Sequence, residues 1–195
     1  MNPGVKPASP SSLSAGVFRT WRLYLCAAVV FLTDLATKAW VLHAIPEQTY
    51  NPPWKEIIPG FFYLVHIWNR GAAFGTFQGY SWLLAILAPI ALLAIYFFRR
   101  DLELHRRGPQ IIFGLIIGGI LGNFVDRVVH GHVIDFIDIH LPFPIPGIGT
   151  RFPAFNIADS GITTGVVLYF IYTFFIATRR DRKEREIVTI PPGKS

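Results

Sequence analysis

Charge is scarce. Asp, Glu, Lys and Arg together make up 15% of the 195 residues, where a soluble domain carries roughly 25%. With 52% hydrophobic residues and a mean hydropathy of +0.42, that deficit argues against a soluble enzyme and for a single-domain polytopic membrane protein. Cysteine is almost missing. The one residue, Cys26, excludes a disulfide framework and a Cys-based metal cluster. It lies within an apolar run, and Leu23, Tyr24 and Leu25 before it are too large for a cleavage site, so the first apolar run reads as an anchor rather than a removed leader. No His-Glu-x-x-His is present, and His130, His132 and His140 near Asp135 and Asp138 are read as ordinary loop histidines rather than metal ligands. No Lys-Ser/Thr follows the closely spaced Gly114, Gly118, Gly119 and Gly122, so these read as packing glycines rather than as a phosphate cradle. Ser160 has no base at helical spacing. The formal charge of +6 does not indicate nucleic acid, because the cations flank apolar runs.

The fold these residues predict is a mainly α membrane protein with four transmembrane helices and a small extracytoplasmic β/loop element between helices 1 and 2. Residues 1–20, rich in Pro, Ser and Gly, read as a disordered tail. Residues 21–178 form the membrane domain, with spans at about 23–42, 81–98, 110–129 and 157–177. Residues 179–195 form a basic tail. Between the first two spans, Pro46, Pro52, Pro53 and Pro59 forbid a long helix. There the aromatic run Phe61–Trp68 reads as strand, lying at headgroup level. Residues 130–155, with Pro142, Pro144, Pro146 and Pro153, read as a second non-helical stretch that could cover the site. Gly114, Gly118, Gly119 and Gly122 let the third span pack closely on its neighbours. Most of the eighteen Lys and Arg residues fall in the two tails and the 99–109 loop. By the positive-inside rule both termini and that loop are cytoplasmic.

Against this apolar background stand carboxylates. Asp126, Asp135 and Asp159 all lie in or beside runs apolar enough to enter a bilayer, where a charge costs several kcal/mol and marks a candidate site. All three fall near the extracytoplasmic boundary, with Asp34 deeper. Asp34 and Lys38 are i,i+4 on one helix face and can pair, as a structural ion pair or as support for the site. Asn123, Asp126 and Arg127 share one side of the third span's end. Two carboxylates within mutual reach share a proton, so one serves as base toward water and the other as acid toward a carbonyl. That is aspartyl-protease chemistry. The same groups could form a proton or ion relay, the alternative that residues alone leave open, although a relay needs ionisable groups spread through the membrane's depth.

Four segments carry a stronger signal. They are Asn69-Arg-Gly-Ala-Ala-Phe, Gly118-Gly-Ile-Leu-Gly-Asn-Phe-Val-Asp-Arg127, Val133-Ile-Asp-Phe136 and Phe152-Pro-Ala-Phe-Asn-Ile-Ala-Asp-Ser160. Together with the Asp34/Lys38 pair, and in this order, they resemble the lipoprotein signal peptidases (signal peptidase II). The resemblance implies an aspartyl endopeptidase of the bacterial inner membrane. It would cut the signal peptide from diacylglyceryl-modified prolipoproteins before the lipid-bearing Cys, with its site near the extracytoplasmic face. The same resemblance makes Asp135 and Asp159 the catalytic pair, and Asn69, Gly71, Asn123, Arg127 and Asn156 site-lining or substrate-binding groups. It leaves Asp34, Lys38 and Asp126 as structural supports, Asp126 being the rival for the first catalytic position. No metal or other cofactor is implied. The partners would be lipid-modified substrates and membrane lipids, with no nucleic acid, and the chain would act as a monomer. Leu35 and Arg70 depart from the family's usual residues, and Pro142–Gly149 is an insert in the loop.

Overall fold

Long apolar runs form helices because a helix satisfies its own backbone hydrogen bonds. The computed structural model describes residues 20–49, 51–71, 76–147 and 149–188. The tail expected at residues 1–20 lies outside them apart from Thr20, as do residues 189–195. The described residues hold four helices: α1 (Trp21–Ala44), α2 (Ser81–Phe97), α3 (Arg107–His130) and α4 (Ile157–Val188). Three helical stretches, α1, α3 and Ile157–Ile176 of α4, are long and apolar enough to cross a membrane, while α2 is a shorter apolar helix of 17 residues. The backbone of α4 stays helical past the apolar stretch to Val188. Leu25, Val29 and Leu32 on α1, Ile86 and Ile90 on α2, and Phe170 and Phe174 on α4 are all exposed. Apolar faces of that extent suit lipid rather than water.

α3 is the most buried of the three long helices, and its glycines explain why. A Cβ at Gly118 would stand 2.6 Å from the Ala27 carbonyl oxygen, and one at Gly119 would strike the Ala158 oxygen. The backbones of α1 and α4 therefore press directly on α3. At Gly122 a Cβ would collide with the Asp34 carboxylate and lie 3.2 Å from Ala158 Cβ. Gly122→Ala is expected to lower stability by about 1–3 kcal/mol, as overpacking does, and to displace Asp34 from its partners. A thermal unfolding scan in detergent beside a Gly108→Ala control, whose Cβ would meet only Tyr172 at 3.6 Å, checks this.

The sheet extends beyond the region expected for it. Four strands, β1 (Lys55–Ile58), β2 (Phe62–Asn69), β3 (Val133–Ile145) and β4 (Gly149–Arg151), form one antiparallel sheet in the order β1-β2-β3-β4. The β element expected only between the first two helices thus draws half its strands from the later 130–155 stretch, which was expected to be non-helical loop. The reason lies in β3. Its first four residues are all buried, so the in/out alternation that marks a half-exposed strand is missing. Its prolines sit in the partly or fully exposed far half, where a missing N–H is tolerated. Gly131, left-handed at φ 75°, caps α3 by donating to the Arg127 carbonyl at 3.1 Å and turns the chain straight into β3. Asn69 pairs with Val133 and Ile67 with Asp135. This register brings the end of β2 beside Asp135.

A second buried acid in β3 is structural. Asp138 is fully buried and accepts from Arg151 Nε (3.1 Å) and Nη2 (2.6 Å), with His140 Nε2 also 3.1 Å away. This pair fastens β4 to β3. Trp68 stacks on His132 at 4.7 Å, and burial, followed by the neighbouring His130 charge, holds the His132 ring below its ordinary pKa. Among the described residues no group of three or more His, Cys, Asp or Glu is arranged to hold a metal.

Candidate active site

The end of α3, the start of β3 and the start of α4 converge, and their polar residues are buried together. α4 opens with a reciprocal cap. The Asn156 Oδ1 accepts the Asp159 N–H at 2.9 Å, and Asp159 Oδ2 accepts the Asn156 N–H at 3.3 Å. This is the geometry of a capping box, and an acid in the first turn also suits the helix dipole. Asp159 is therefore fixed by its own helix end.

Asn156 reaches further. Its Nδ2 donates to Asp135 Oδ1 at 2.8 Å and also lies 3.2 Å from Asn123 Oδ1. One residue thus holds both Asp135 and Asp159. Asn69, at the end of β2, donates from Nδ2 to Asp135 Oδ2 at 2.9 Å, and its Oδ1 accepts the Gly71 N–H at 2.9 Å. Asn123 donates from Nδ2 to Asp159 Oδ1 at 2.7 Å. Arg127 ties the wall together, donating to the Asn123 carbonyl at 3.2 Å and to the Gly71 carbonyl at 3.1 Å.

Beneath this layer sits a buried ion cluster. Lys38 Nζ lies 2.7 Å from Asp34 Oδ2 and 2.9 Å from Asp126 Oδ2, and it donates to Asn123 Oδ1 at 3.0 Å. Asp34 also accepts the Ala158 N–H at 2.9 Å, and Asp126 the Ile134 N–H at 3.1 Å. Each carboxylate so anchors the residue just before one of the upper pair, Asp159 or Asp135. All ten residues singled out from the sequence join one network: Asp34, Lys38, Asn69, Gly71, Asn123, Asp126, Arg127, Asp135, Asn156 and Asp159. The anchoring amides of Ile134 and Ala158 were not foreseen, since backbone groups leave no mark in a sequence.

The electrostatics follow from a count of charges. Four carboxyls, Asp34, Asp126, Asp135 and Asp159, surround two cations, Lys38 and Arg127. A buried cluster with excess acid holds on to a proton. Burial first, and then the Asp159 charge, push the Asp135 carboxyl up to about 8, against the opposing pull of Asn69, Lys38 and Asn156. Asp126 is held by Lys38 and the Ile134 amide, away from the upper pair. The arrangement can supply one protonated and one ionised carboxyl side by side, with amide donors around them.

Comparison with known proteins agrees. A family model described as "Signal peptidase (SPase) II" matches residues 26–175. The lipoprotein signal peptidase of Geobacillus thermodenitrificans (strain NG80-2) is 40% identical over 170 residues, covering 87% of this chain and 99% of that protein. The lipoprotein signal peptidase of Burkholderia multivorans (strain ATCC 17616 / 249) is 43% identical over 148 residues, covering 72% and 80%. A solved structure titled as a bacterial membrane enzyme by the in meso method at 2.3 Å resolution superposes with a TM-score of 0.67 at 31% identity, covering 89% of this chain and 93% of that one. With the match running through α1, the glycine-lined α3 and the opening of α4, the chain belongs to the signal peptidase II family of membrane peptidases.

Proposed function

We propose that Asp135 and Asp159 are the catalytic pair of this signal peptidase, an aspartyl endopeptidase that cuts diacylglyceryl-modified prolipoproteins just before the lipid-bearing Cys. The observation that carries the reading is the double grip of Asn156, with Nδ2 on Asp135 and its backbone N–H on Asp159. Asp135 holds the proton and hydrogen-bonds the scissile carbonyl; ionised Asp159 takes a proton from the attacking water. The tetrahedral diol, its oxyanion protonated by Asp135, collapses as Asp159 passes the water-derived proton to the departing amine nitrogen and Asp135 takes its proton back from the diol hydroxyl. The C–N bond breaks and the pair returns to its starting state. No cofactor takes part. Asn69, Gly71 and Arg127 line the approach and offer polar groups to the substrate backbone, while Asp34, Lys38 and Asp126 support the pair from below.

In this reading α1, α2, α3 and α4 each cross the bacterial inner membrane. The distribution of Lys and Arg places both termini in the cytoplasm and the site near the outer face. At about 1.5 Å per residue, the 17 residues of α2 reach roughly 25 Å, which flanking aromatics can extend to the interface. An apolar, lipid-bearing substrate enters sideways from the bilayer, and the protein works as a monomer.

The test is cleavage by the purified protein of a prolipoprotein with and without its diacylglyceryl group, across pH. Only the lipidated form is expected to be cut. Because Asp135 must keep its proton, kcat/KM should fall as pH rises through about 8. The limb belongs to the pair rather than to one residue. Rates that stay flat from pH 6 to about pH 10, beyond that limb, would remove Asp135 as the acid.

A further inference from the structure

Lys38 touches neither Asp135 nor Asp159, yet it is placed to decide how one of them is used. The Lys38 side chain is 2% exposed, with Nζ 2.7 Å from Asp34 Oδ2 and 2.9 Å from Asp126 Oδ2, and it donates to Asn123 Oδ1 at 3.0 Å. An ammonium has donors only, so whichever end of the Asn123 amide faces it must be the oxygen. The Asn156 Nδ2, also a donor, meets the same oxygen at 3.2 Å. Flipping Asn123 would set its NH2 against an ammonium and a second amide NH2 in a buried site, at a cost a single lost hydrogen bond understates. The NH2 is therefore forced outward, where it lies 2.7 Å from Asp159 Oδ1.

We propose that Lys38 is a positioning residue for peptide cleavage: by locking the Asn123 oxygen inward it keeps the Asn123 N–H on Asp159 and so designates Asp159 as the ionised, water-activating member of the pair. The inference rests on the reading of Asp135 and Asp159 as the catalytic pair. A donor fixed on a carboxylate favours its charged form, and the donor is available only while the amide is locked. The other charged groups around Asp159 are Asp135 from β3 and Arg127 from α3, with Asp34 and Asp126 held behind Lys38. None of those four makes a hydrogen bond to the Asn123 side-chain amide, so the charges that orient it are Lys38 at its oxygen and Asp159 at its nitrogen.

The test uses the purified full chain in lipid nanodiscs with a lipidated prolipoprotein. Lys38→Met combined with Asp34→Asn keeps the buried net charge unchanged while the lock is lost. The acid limb of kcat/KM is expected to move to higher pH by about one unit, roughly tenfold in rate below the limb, with KM within about twofold of wild type. Asn123→Ala should give the same displacement with the Asp34–Lys38–Asp126 pairs intact. Joining the three substitutions should add nothing further, because both routes remove one interaction. An unmoved acid limb in Asn123→Ala, or displacements that add, would overturn the inference. If the Lys38 variant shows no cooperative unfolding, an unmoved limb in Asn123→Ala still overturns the inference. The catalytic-pair reading fails separately, if Asp159→Asn retains activity; a dead Asp159→Asn with an unmoved limb sinks only the role of Lys38.

Discussion

Asp135→Asn and Asp159→Asn are each expected to yield a folded protein whose cleavage rate has dropped at least about 10³-fold. Asparagine matches the carboxyl in shape but offers neither a transferable proton nor a base. In the proposed pair Asp135 would supply the acid and Asp159 the base, so losing either would stop the same step. The double variant should be little worse than either single one, since groups that act as a unit are not additive. Stability should change less than activity. At 135 one neutral group replaces another, and at 159 Asn relieves part of the buried negative excess while still accepting at the α4 cap. Rates from single-turnover cleavage, with unfolding midpoints measured alongside, check both statements. An unfolded variant would speak for a structural carboxylate instead.

Asn156→Ala is expected to have the next largest effect, about a 10²-fold loss of kcat. The residue is fully buried, and its side chain contacts Asp135, Asn123, the Ile134 carbonyl and the Asp159 amide. Removing it frees Asp135 from one of its two amide donors and opens the cap that aims Asp159, and displacements of about 1 Å at reacting groups can cost two orders of magnitude. Cap loss alone accounts for about 1 kcal/mol of stability, and the stranded polar groups add about 1–3 kcal/mol. Asn156→Asp would keep the cap oxygen yet place a third carboxyl against the pair, so its rate should fall as well while its unfolding midpoint falls less than that of the alanine variant. A proteolytic assay and a thermal scan on both variants separate the two roles. Alanine-like stability loss with near-normal cleavage would mean that Asn156 only caps a helix.

The sequence made some of this architecture easy to read and hid the rest. The long apolar helices were legible because a bilayer demands long apolar runs, and buried acids stood out against them. α1 runs Trp21–Ala44 where about 23–42 was expected, and α3 runs Arg107–His130 where about 110–129 was expected. Apart from Asp34 and Lys38, which lie deeper in α1, the site residues converge because they lie near a helix or strand end beside one boundary. β3 was not legible. With Val133, Ile134, Asp135 and Phe136 all buried it lacks alternation, and its later prolines read as loop. The Asn156-x-x-Asp159 spacing just before an apolar run is a capping-box pattern; read that way, it would have tied Asn156 to Asp159 without any coordinates. Apart from the family resemblance of Val133–Phe136, no local pattern separated Asp135 from Asp138. Both sit among apolar strand residues, and only the fold shows Arg151 occupying one of them. Asp126 was the rival for the first catalytic position because it adjoins Arg127, but in the fold its carboxylate faces Lys38 and the Ile134 amide.

That rivalry sets the measurement that tests the central claim most directly: cleavage of a diacylglyceryl-modified prolipoprotein by Asp126→Asn beside Asp135→Asn and Asp159→Asn, all confirmed folded. The account predicts measurable residual cleavage in Asp126→Asn, which disturbs a support, and none in the other two. A folded Asp126→Asn that is fully dead while Asp135→Asn still cleaves would contradict it and move the acid of the pair to Asp126.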